Sequence, residues 1–220
     1  MKIDIITLFP KMFKGPFDES IVKRAQDKSL VEINIHDLRE YGLDERKTVD
    51  GRPYGGGVGM ILMIEPLYKA LEKIRTKDSK VILLTPRGKT YNQNNALKLS
   101  KLKHLIFIAG HYEGYDERIT EFVDEEISIG NFILTGGEIP TMAIVDSIVR
   151  LIPGVLTKED ATKYESFSEE NSVEYPQYTR PEEFKGLKVP KVLLSGNHKE
   201  INEWRDKESE EKTKKIASEN

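Results

Sequence analysis

Five apolar residues run without interruption into a glycine at Leu105-Ile106-Phe107-Ile108-Ala109-Gly110. A continuous apolar run of this length, bounded by turn residues, is typical of a parallel strand that is buried on both faces. Residues 81–84 form a second run of the same character, and residues 94–99 between the two have the pattern of a helix. Strand, helix and strand in this order predict an α/β fold with a mostly parallel sheet.

Elements of the same two kinds are predicted along most of the chain. Further strands are predicted over residues 2–8, 30–36 and 126–129, and further helices over residues 20–27, 66–74 and 138–152. The helix over 138–152 has the clearest pattern, because its apolar residues fall on one stripe. The residues of that stripe are Met142, Val145, Ile148, Val149 and Ile152.

The composition of the chain changes near Thr157, where it becomes acidic and poor in apolar residues. This change predicts a main domain over residues 1–156, a flexible acidic linker over 157–172 and a small C-terminal region over 173–220. Within the C-terminal region, a charged helix is predicted after Asn197.

Composition excludes several classes of protein. With 38% hydrophobic and 32% charged residues among 220, the balance is that of a soluble globular chain rather than a disordered one. No apolar run is long enough to cross a membrane. The chain has no cysteine, which excludes disulfides and thiol catalysis and suits a cytoplasmic location. The four histidines are scattered without the spacing of a metal site, so no metal ligands are predicted.

Three glycine-containing loops each follow a predicted strand, at residues 84–88, 109–118 and 128–138. Ligands of open parallel sheets bind beyond the carboxyl ends of the strands, so the three loops are expected to form one pocket. The third loop mixes apolar side chains with exposed backbone over residues 129–134, which suits an adenine ring and a ribose. The alternative is that all three are ordinary turns between strand and helix.

A denser glycine cluster lies at Arg52-Pro53-Tyr54-Gly55-Gly56-Gly57-Val58-Gly59-Met60. Four glycines in five positions allow a ligand to approach the backbone closely. The cluster is neither a P-loop nor a dinucleotide-binding fingerprint, since it lacks the Gly-Lys-Ser/Thr ending and the required glycine spacing. A mobile surface loop is the alternative interpretation.

Several short motifs occur in the same order in a known family. In this sequence they are Leu8-Phe9-Pro10, Thr48-Val49-Asp50, Arg52-Pro53-Tyr54-Gly55-Gly56-Gly57, Tyr112-Glu113-Gly114, Asp116-Glu117-Arg118, Ser128-Ile129-Gly130, Thr135-Gly136-Gly137-Glu138, Ile152-Pro153-Gly154-Val155-Leu156, Tyr178-Thr179-Arg180-Pro181 and Val192-Leu193-Leu194-Ser195-Gly196-Asn197-His198. The ordered set resembles the bacterial tRNA (guanine-N1)-methyltransferases, which methylate the guanosine immediately 3′ of the anticodon.

This resemblance implies the SPOUT class, an α/β fold with a deep trefoil knot, which is a rare exception to the rule that chains are unknotted. It also implies a cytoplasmic homodimer that acts on tRNA and takes its methyl group from S-adenosyl-L-methionine. The resemblance is compatible with a requirement for Mg²⁺. The residues that correspond to the family's donor site are Leu84, Thr85, Pro86, Gly110, Tyr112, Glu113, Ser128, Ile129, Gly130, Asn131, Phe132, Ile133, Leu134, Gly136 and Gly137.

Two positions correspond to the family's catalytic groups. Arg150 matches its active-site arginine, and Glu165 stands just before Ser166-Phe167, where the family has an aspartate base. Glu165 is one methylene longer than aspartate, and Asp160 is the reserve candidate for the base. The residues expected to hold the target nucleotide are Asp50, Arg52, Gly55, Gly59 and Glu113.

The C-terminal region is a second departure, because the family usually has a longer helical domain that grips the tRNA. Two alternatives to a methyltransferase stay open. One is an RNA-binding module of the same fold with weakened catalysis, and the other is a nucleotide-binding α/β enzyme with another reaction.

Overall fold

Strands and helices alternate along most of the chain. The structure is a computed structural model, and it describes residues 1–157, 162, 165–168 and 172–219. The strands are β1 (Lys2–Thr7), β2 (Glu32–Asp37), β3 (Asp50–Gly51), β4 (Ile61–Leu62), β5 (Ser79–Thr90), β6 (His104–Ala109), β7 (Glu125–Ser128), β8 (Glu183–Phe184) and β9 (Leu187–Lys188). The helices are α1 (Ser20–Asp27), α2 (Ile64–Ile74), α3 (Gln93–Leu99), α4 (Glu138–Val149), α5 (Lys191–Leu194) and α6 (His198–Glu219). Short 3₁₀ helices lie at Pro10–Phe13, Leu38–Tyr41 and Glu117–Phe122.

The main sheet has the strand order β2-β1-β6-β5-β7, and all of its pairings are parallel. All six residues of β6 are buried because it lies in the middle of this sheet. The parallel α/β architecture predicted from the apolar runs is thereby confirmed.

Helices cover both faces of the sheet. Alternate side chains of β6 point to opposite faces, so Leu105 and Phe107 pack in one core cluster and Ile106 and Ile108 in another. The first cluster receives the apolar residues of α1, α3 and α4, and the second receives those of α2. The sheet is therefore the middle of three layers.

Most predicted elements differ from the structure by one or two residues at an end, and two differ by more. Helix α4 ends at Val149 rather than at residue 152, and it buries Pro140, Thr141 and Ile144 as well as the predicted stripe positions Val145, Ile148 and Val149. Strand β5 continues to Thr90 instead of ending at residue 84. Its pairing with β7 shifts register between Leu84 and Lys89, and such a shift is invisible to an apolar pattern that stops at Leu84.

The chain after β7 returns to the end of β6. The backbone N–H of Gly137 donates to the carbonyl of Gly110 at 2.7 Å, and His111 and Gly136 form an antiparallel bridge. The second and third glycine loops are therefore hydrogen-bonded to each other. The trefoil knot itself stays a prediction.

The chain divides into two compact units, residues 1–157 and residues 158–220. In the second unit, β8 and β9 form an antiparallel hairpin, and the segment at Val173 is held on α6. The Val173 N–H donates to Thr213, and its carbonyl accepts from Ser209. Much of the predicted linker over 157–172 lies outside the described residues, and no described helix is long and apolar enough to cross a membrane.

Candidate functional site

A cleft of about 490 Å³ lies at the carboxyl ends of β6 and β7 and at the middle of β5, around residues 84–87. The three glycine-containing loops predicted to meet at this edge of the sheet line it together. The residues that line the cleft are Leu84, Thr85, Pro86, Arg87, Gly110, His111, Tyr112, Glu113, Gly114, Tyr115, Glu117, Ile127, Ser128, Ile129, Gly130, Phe132, Ile133, Leu134, Thr135, Gly136, Gly137 and Pro140. Of the residues expected to bind the methyl donor, only Asn131 is outside this set.

The first loop enters the cleft because β5 bulges outward between its two paired segments. The bulge spans the register shift from Leu84 to Lys89 and exposes Pro86 and Arg87. At Gly88 the chain approaches β7 so closely that a Cβ atom would lie 2.5 Å from the backbone nitrogen of Ile127. A glycine at this position therefore allows β5 to pair with β7 again after the bulge.

The second loop turns sharply at Tyr112 and Gly114, whose φ angles are +60° and +121°. A left-handed conformation at a residue other than glycine costs about 1–3 kcal/mol and needs support from its surroundings. The Gly114 N–H donates to the His111 carbonyl, and the Glu113 N–H donates to the Met60 carbonyl. This turn leaves Tyr112 and Glu113 exposed at the cleft.

The third loop begins with a local contact between Ser128 and Gly130. The Gly130 N–H donates to the Ser128 hydroxyl at 3.2 Å, and this hydroxyl lies 3.1 Å from the Gly130 carbonyl oxygen, to which it donates. Gly130 has a φ of +149°, and a Cβ atom there would lie 2.6 Å from the ring of Phe132. Phe132 and Ile133 consequently present exposed apolar surface to the cleft.

The glycine cluster over 52–60 reaches the cleft through Glu113. A Cβ atom on Gly59 would lie 2.5 Å from Cγ of Glu113, and Leu62, just after the cluster, donates its N–H to the Gly114 carbonyl. Of the other residues expected to hold the nucleotide, Asp50 pairs with β4, whereas Arg52 and Gly55 are exposed. The structure thus brings Glu113 and Gly59 of this set close together.

An ion pair forms part of the rim of the cleft. Arg87 donates to Glu117 at 2.8 Å and to the Tyr115 hydroxyl at 3.3 Å. These hydrogen bonds, above all the one to Glu117, raise the pKa of the Arg87 guanidinium above its ordinary value. Both charged side chains are more than half exposed, so the pair contributes little to stability.

Sequence reasoning missed a buried polar pair beside the cleft. Glu138 is fully buried at the start of α4, and its Oε2 lies 3.5 Å from Nδ1 of His111, a residue of the cleft wall. The only signal in the sequence was the position of Glu138, directly after two glycines at a helix start, where the helix dipole favours a carboxylate. Nothing local indicated that His111 lies opposite this carboxylate.

The proposed catalytic groups are on different units of the chain. Arg150 caps the C-terminal end of α4, and Glu165 begins a turn in which the Ser168 N–H donates to the Glu165 carbonyl. The next residue, Ser166, accepts from the Glu174 N–H at 3.1 Å. Asp160 lies outside the described residues. Among the described side chains, no group of three or more potential ligands could hold a metal ion.

Comparison with known proteins identifies the family. A family model described as tRNA (Guanine-1)-methyltransferase TrmD matches residues 1–219. Proteins named tRNA (guanine-N(1)-)-methyltransferase from Dictyoglomus turgidum and Bacillus pumilus are each 55% identical to the chain over 97% of its length, covering 86% and 88% of their own. One from Carboxydothermus hydrogenoformans is 54% identical over 95% of the chain and 83% of its own length. The chain thus belongs to the tRNA (guanine-N1)-methyltransferase family.

Proposed function

We propose that this protein transfers a methyl group from S-adenosyl-L-methionine to N1 of the guanosine immediately 3′ of the anticodon in tRNA. The observation that carries the proposal is the convergence of three glycine-containing loops on one cleft, in a chain that belongs to this family. The protein would act as a homodimer in the cytoplasm, where its tRNA substrate is found.

The cleft suits the methyl donor in size and chemistry. Its volume of about 490 Å³ falls within the range of small-molecule sites. Exposed apolar side chains such as Phe132 and Ile133 offer contact surface for an adenine ring. The backbone is tightly packed below, since a Cβ atom on Gly137 would lie 2.8 Å from the Gly110 nitrogen. When bound, S-adenosyl-L-methionine supplies an electrophilic methyl group on its sulfonium.

Guanine N1 carries a proton and becomes a nucleophile only when that proton leaves. In the proposed mechanism the carboxylate of Glu165 accepts it, and general-base assistance of this kind contributes about 10²–10⁴-fold. The guanidinium of Arg150 stabilises the negative charge that develops on guanine O6. Asp160 remains the second candidate for the base.

Binding of the nucleotide is assigned to the region around Glu113. The side chain of Glu113 is exposed at the cleft and touches the glycine cluster at Gly59, so both can contact the edge of an inserted base. Asp50, Arg52 and Gly55 would hold its sugar and phosphate. Unstacking the guanine costs a few kcal/mol, which these contacts must offset.

The proposal is tested by incubating the protein with labelled donor and unmodified tRNA, followed by mapping of the methylated nucleoside. We expect 1-methylguanosine immediately 3′ of the anticodon and no label in a matched tRNA with adenosine at that position. Titration of Mg²⁺ in the same assay measures any metal requirement. Donor binding without turnover would instead support the RNA-binding module, and binding of another nucleotide in place of the donor would support a different reaction.

A further inference from the structure

Two polar atoms, one on each of two neighbouring side chains, are buried beside the cleft. His111 Nδ1 and Glu138 Oε2 face each other at 3.5 Å, and neither makes a hydrogen bond within the part of the chain that the structure describes. The Glu138 side chain is fully buried. A buried carboxylate oxygen without a hydrogen bond is costly, so an arrangement that retains one calls for an explanation.

The pair belongs to a closed ring of contacts around the ends of two strands. Thr7 donates its hydroxyl proton to Glu138 Oε1 at 2.8 Å, and the same hydroxyl accepts from the Phe9 N–H at 2.9 Å. The Phe9 ring in turn packs against the His111 ring, with 4.6 Å between centroids. This closed set of contacts links the end of β1, the loop after β6 and the first residue of α4.

Gly136 lies directly against the side chains of this pair. A Cβ atom there would collide with both Glu138 Oε2 and His111 Nδ1, although the φ of Gly136 is not in the left-handed region. The glycine is therefore required by the close approach of the pair and not by its own backbone conformation. Gly136 also forms the backbone bridge to His111, so the pair lies where the second and third loops of the cleft join.

His111 is followed directly by the strained turn of the second loop. Tyr112 has a φ of +60°, and both Tyr112 and Glu113 line the cleft. Such a conformation persists only where the neighbouring structure holds it. The contacts from Glu138 and Phe9 thus hold His111, the residue directly before this turn.

We infer that Glu138 and His111 are positioning residues, which hold Tyr112 and Glu113 in place for the methyl donor through the contact between Oε2 and Nδ1. Neither acts on the reacting atoms. The inference rests on the proposed function, because it takes the methyl donor as the ligand of the cleft. Contacts of active sites are often long in the free enzyme and shorten in the complex, so the distance of 3.5 Å is expected to decrease on donor binding.

The test compares donor affinity among three variants by titration calorimetry with S-adenosyl-L-homocysteine, the unreactive product. His111→Phe keeps an aromatic ring against Phe9 but removes Nδ1, and we expect its Kd to rise by about tenfold or more, since small displacements at a site are costly. His111→Asn places an amide N–H near the position of Nδ1 and should recover most of the affinity. His104→Asn is the matched control, because His104 also contacts a buried carboxylate, that of Asp4, but at the opposite end of its strand. Its Kd should remain within about twofold of the wild-type value.

Thermal unfolding of each variant separates folding from positioning. If His111→Phe is folded and binds the product as tightly as the wild-type protein, the inference is wrong. It is also wrong if His111→Asn and His111→Phe lose affinity equally. If the wild-type protein itself fails to bind either the donor or its product, the proposed function fails instead, and the two failures remain distinguishable.

A measurement on the wild-type protein needs no substitution. In ¹⁵N-histidine NMR of the complex with the product, we expect the Nδ1 resonance of His111 to be that of a hydrogen-bonded nitrogen, since it faces a carboxyl oxygen. An Nδ1 resonance typical of a nitrogen without a hydrogen bond would overturn the inference, because the contact between Nδ1 and Oε2 would then be absent from the complex. The His111→Asn spectrum identifies the resonance of His111 among the four histidines.

Discussion

At the level of single residues, Gly130 tests the identity of the cleft. We expect Gly130→Val to weaken donor binding by about tenfold or more, because its φ of +149° disfavours a side chain and the added Cβ would collide with Phe132. Calorimetry with S-adenosyl-L-methionine measures the effect. Gly15→Ala is the control, since Gly15 also has a positive φ but has open space around it. Equal affinity in a folded Gly130→Val protein would exclude this cleft as the donor site.

Substitutions of Glu165 test whether its carboxylate is the catalytic base. Glu165→Gln retains the shape of the side chain but not its basicity, and should lower turnover by about 10²-fold or more with donor affinity intact. Glu165→Asp introduces the residue that the family has at this position and should retain activity, whereas Asp160→Asn should have almost no effect. Single-turnover methylation of tRNA measures all three. If the Asp160→Asn protein is inactive and the Glu165→Gln protein is fully active, Asp160 and not Glu165 is the base.

The pH dependence of unfolding tests whether the negative charge of Asp4 stabilises the fold. Burial raises the pKa of Asp4, but hydrogen bonds with His36, Lys2 and His104 outweigh it and hold the pKa well below its usual range. A carboxyl group with a lowered pKa in the folded state stabilises the fold above its unfolded pKa of about 3.9, and this contribution is lost as the pH falls below that value.

We therefore expect Asp4→Asn to lower the free energy of unfolding at pH 7, by an amount approaching the roughly 3–5 kcal/mol of a broken buried ion pair. The difference from the wild-type protein should shrink as the pH falls from 5 to about 2, because the carboxyl group of the unfolded chain becomes protonated in this range, whereas that of the folded protein is protonated only at lower pH. Urea unfolding at a series of pH values measures it. A difference that is constant over this range would show that the charge of Asp4 is not what stabilises the fold.

At the level of elements, the junction between α4 and β6 depends on Gly137. Its φ of −82° is open to any residue, so its requirement is purely steric. A Cβ atom there would lie 2.8 Å from both Ala109 Cα and Gly110 N. Gly137→Ala should therefore lower the free energy of unfolding by about 1–3 kcal/mol, as overpacking does.

Thermal or urea unfolding of Gly137→Ala provides the measurement, with Gly51→Ala as the control. A Cβ atom on Gly51 would make only an ordinary contact, 3.7 Å from the Met63 side chain. If the two variants are equally stable, the close approach of α4 to β6 is not a determinant of the fold.

At the level of the whole molecule, the expected homodimer makes a prediction about mixed subunits. If each site combines the cleft of one subunit with Glu165 of the other, a dimer of one Gly130→Val and one Glu165→Gln subunit contains one site with both defects and one with neither. Mixing the two impaired proteins under conditions of subunit exchange, at a donor concentration below the Kd of the Gly130→Val protein, should then restore activity. Up to half of the wild-type rate is expected per mixed dimer.

Two controls make this result interpretable. Mixing each variant with itself should restore nothing, and sedimentation should show a species of dimer mass. No recovery in a mixture that has exchanged subunits would place Glu165 and the cleft of a single subunit in one site. A fully active monomer would exclude the shared site altogether.

The amino-acid sequence alone determined the α/β class, the parallel sheet and the three loops that line the cleft. These features follow from local patterns. An apolar run such as residues 105–109 must be buried on both faces, and a glycine after it marks the carboxyl end of a strand. Because parallel strands end at one edge of a sheet, the meeting of the loops followed without knowledge of their contacts.

Only the tertiary structure decided how those loops are held. Thr7 and Glu138 are 131 positions apart in the chain and are joined by a hydrogen bond. Strand β5 continues past its bulge only because β7 lies beside it. Likewise, α4 buries more than one stripe because it is packed against the sheet and against α1 and α3. Contacts between distant residues depend on how the layers pack, and a local pattern carries no record of the partner that it will meet.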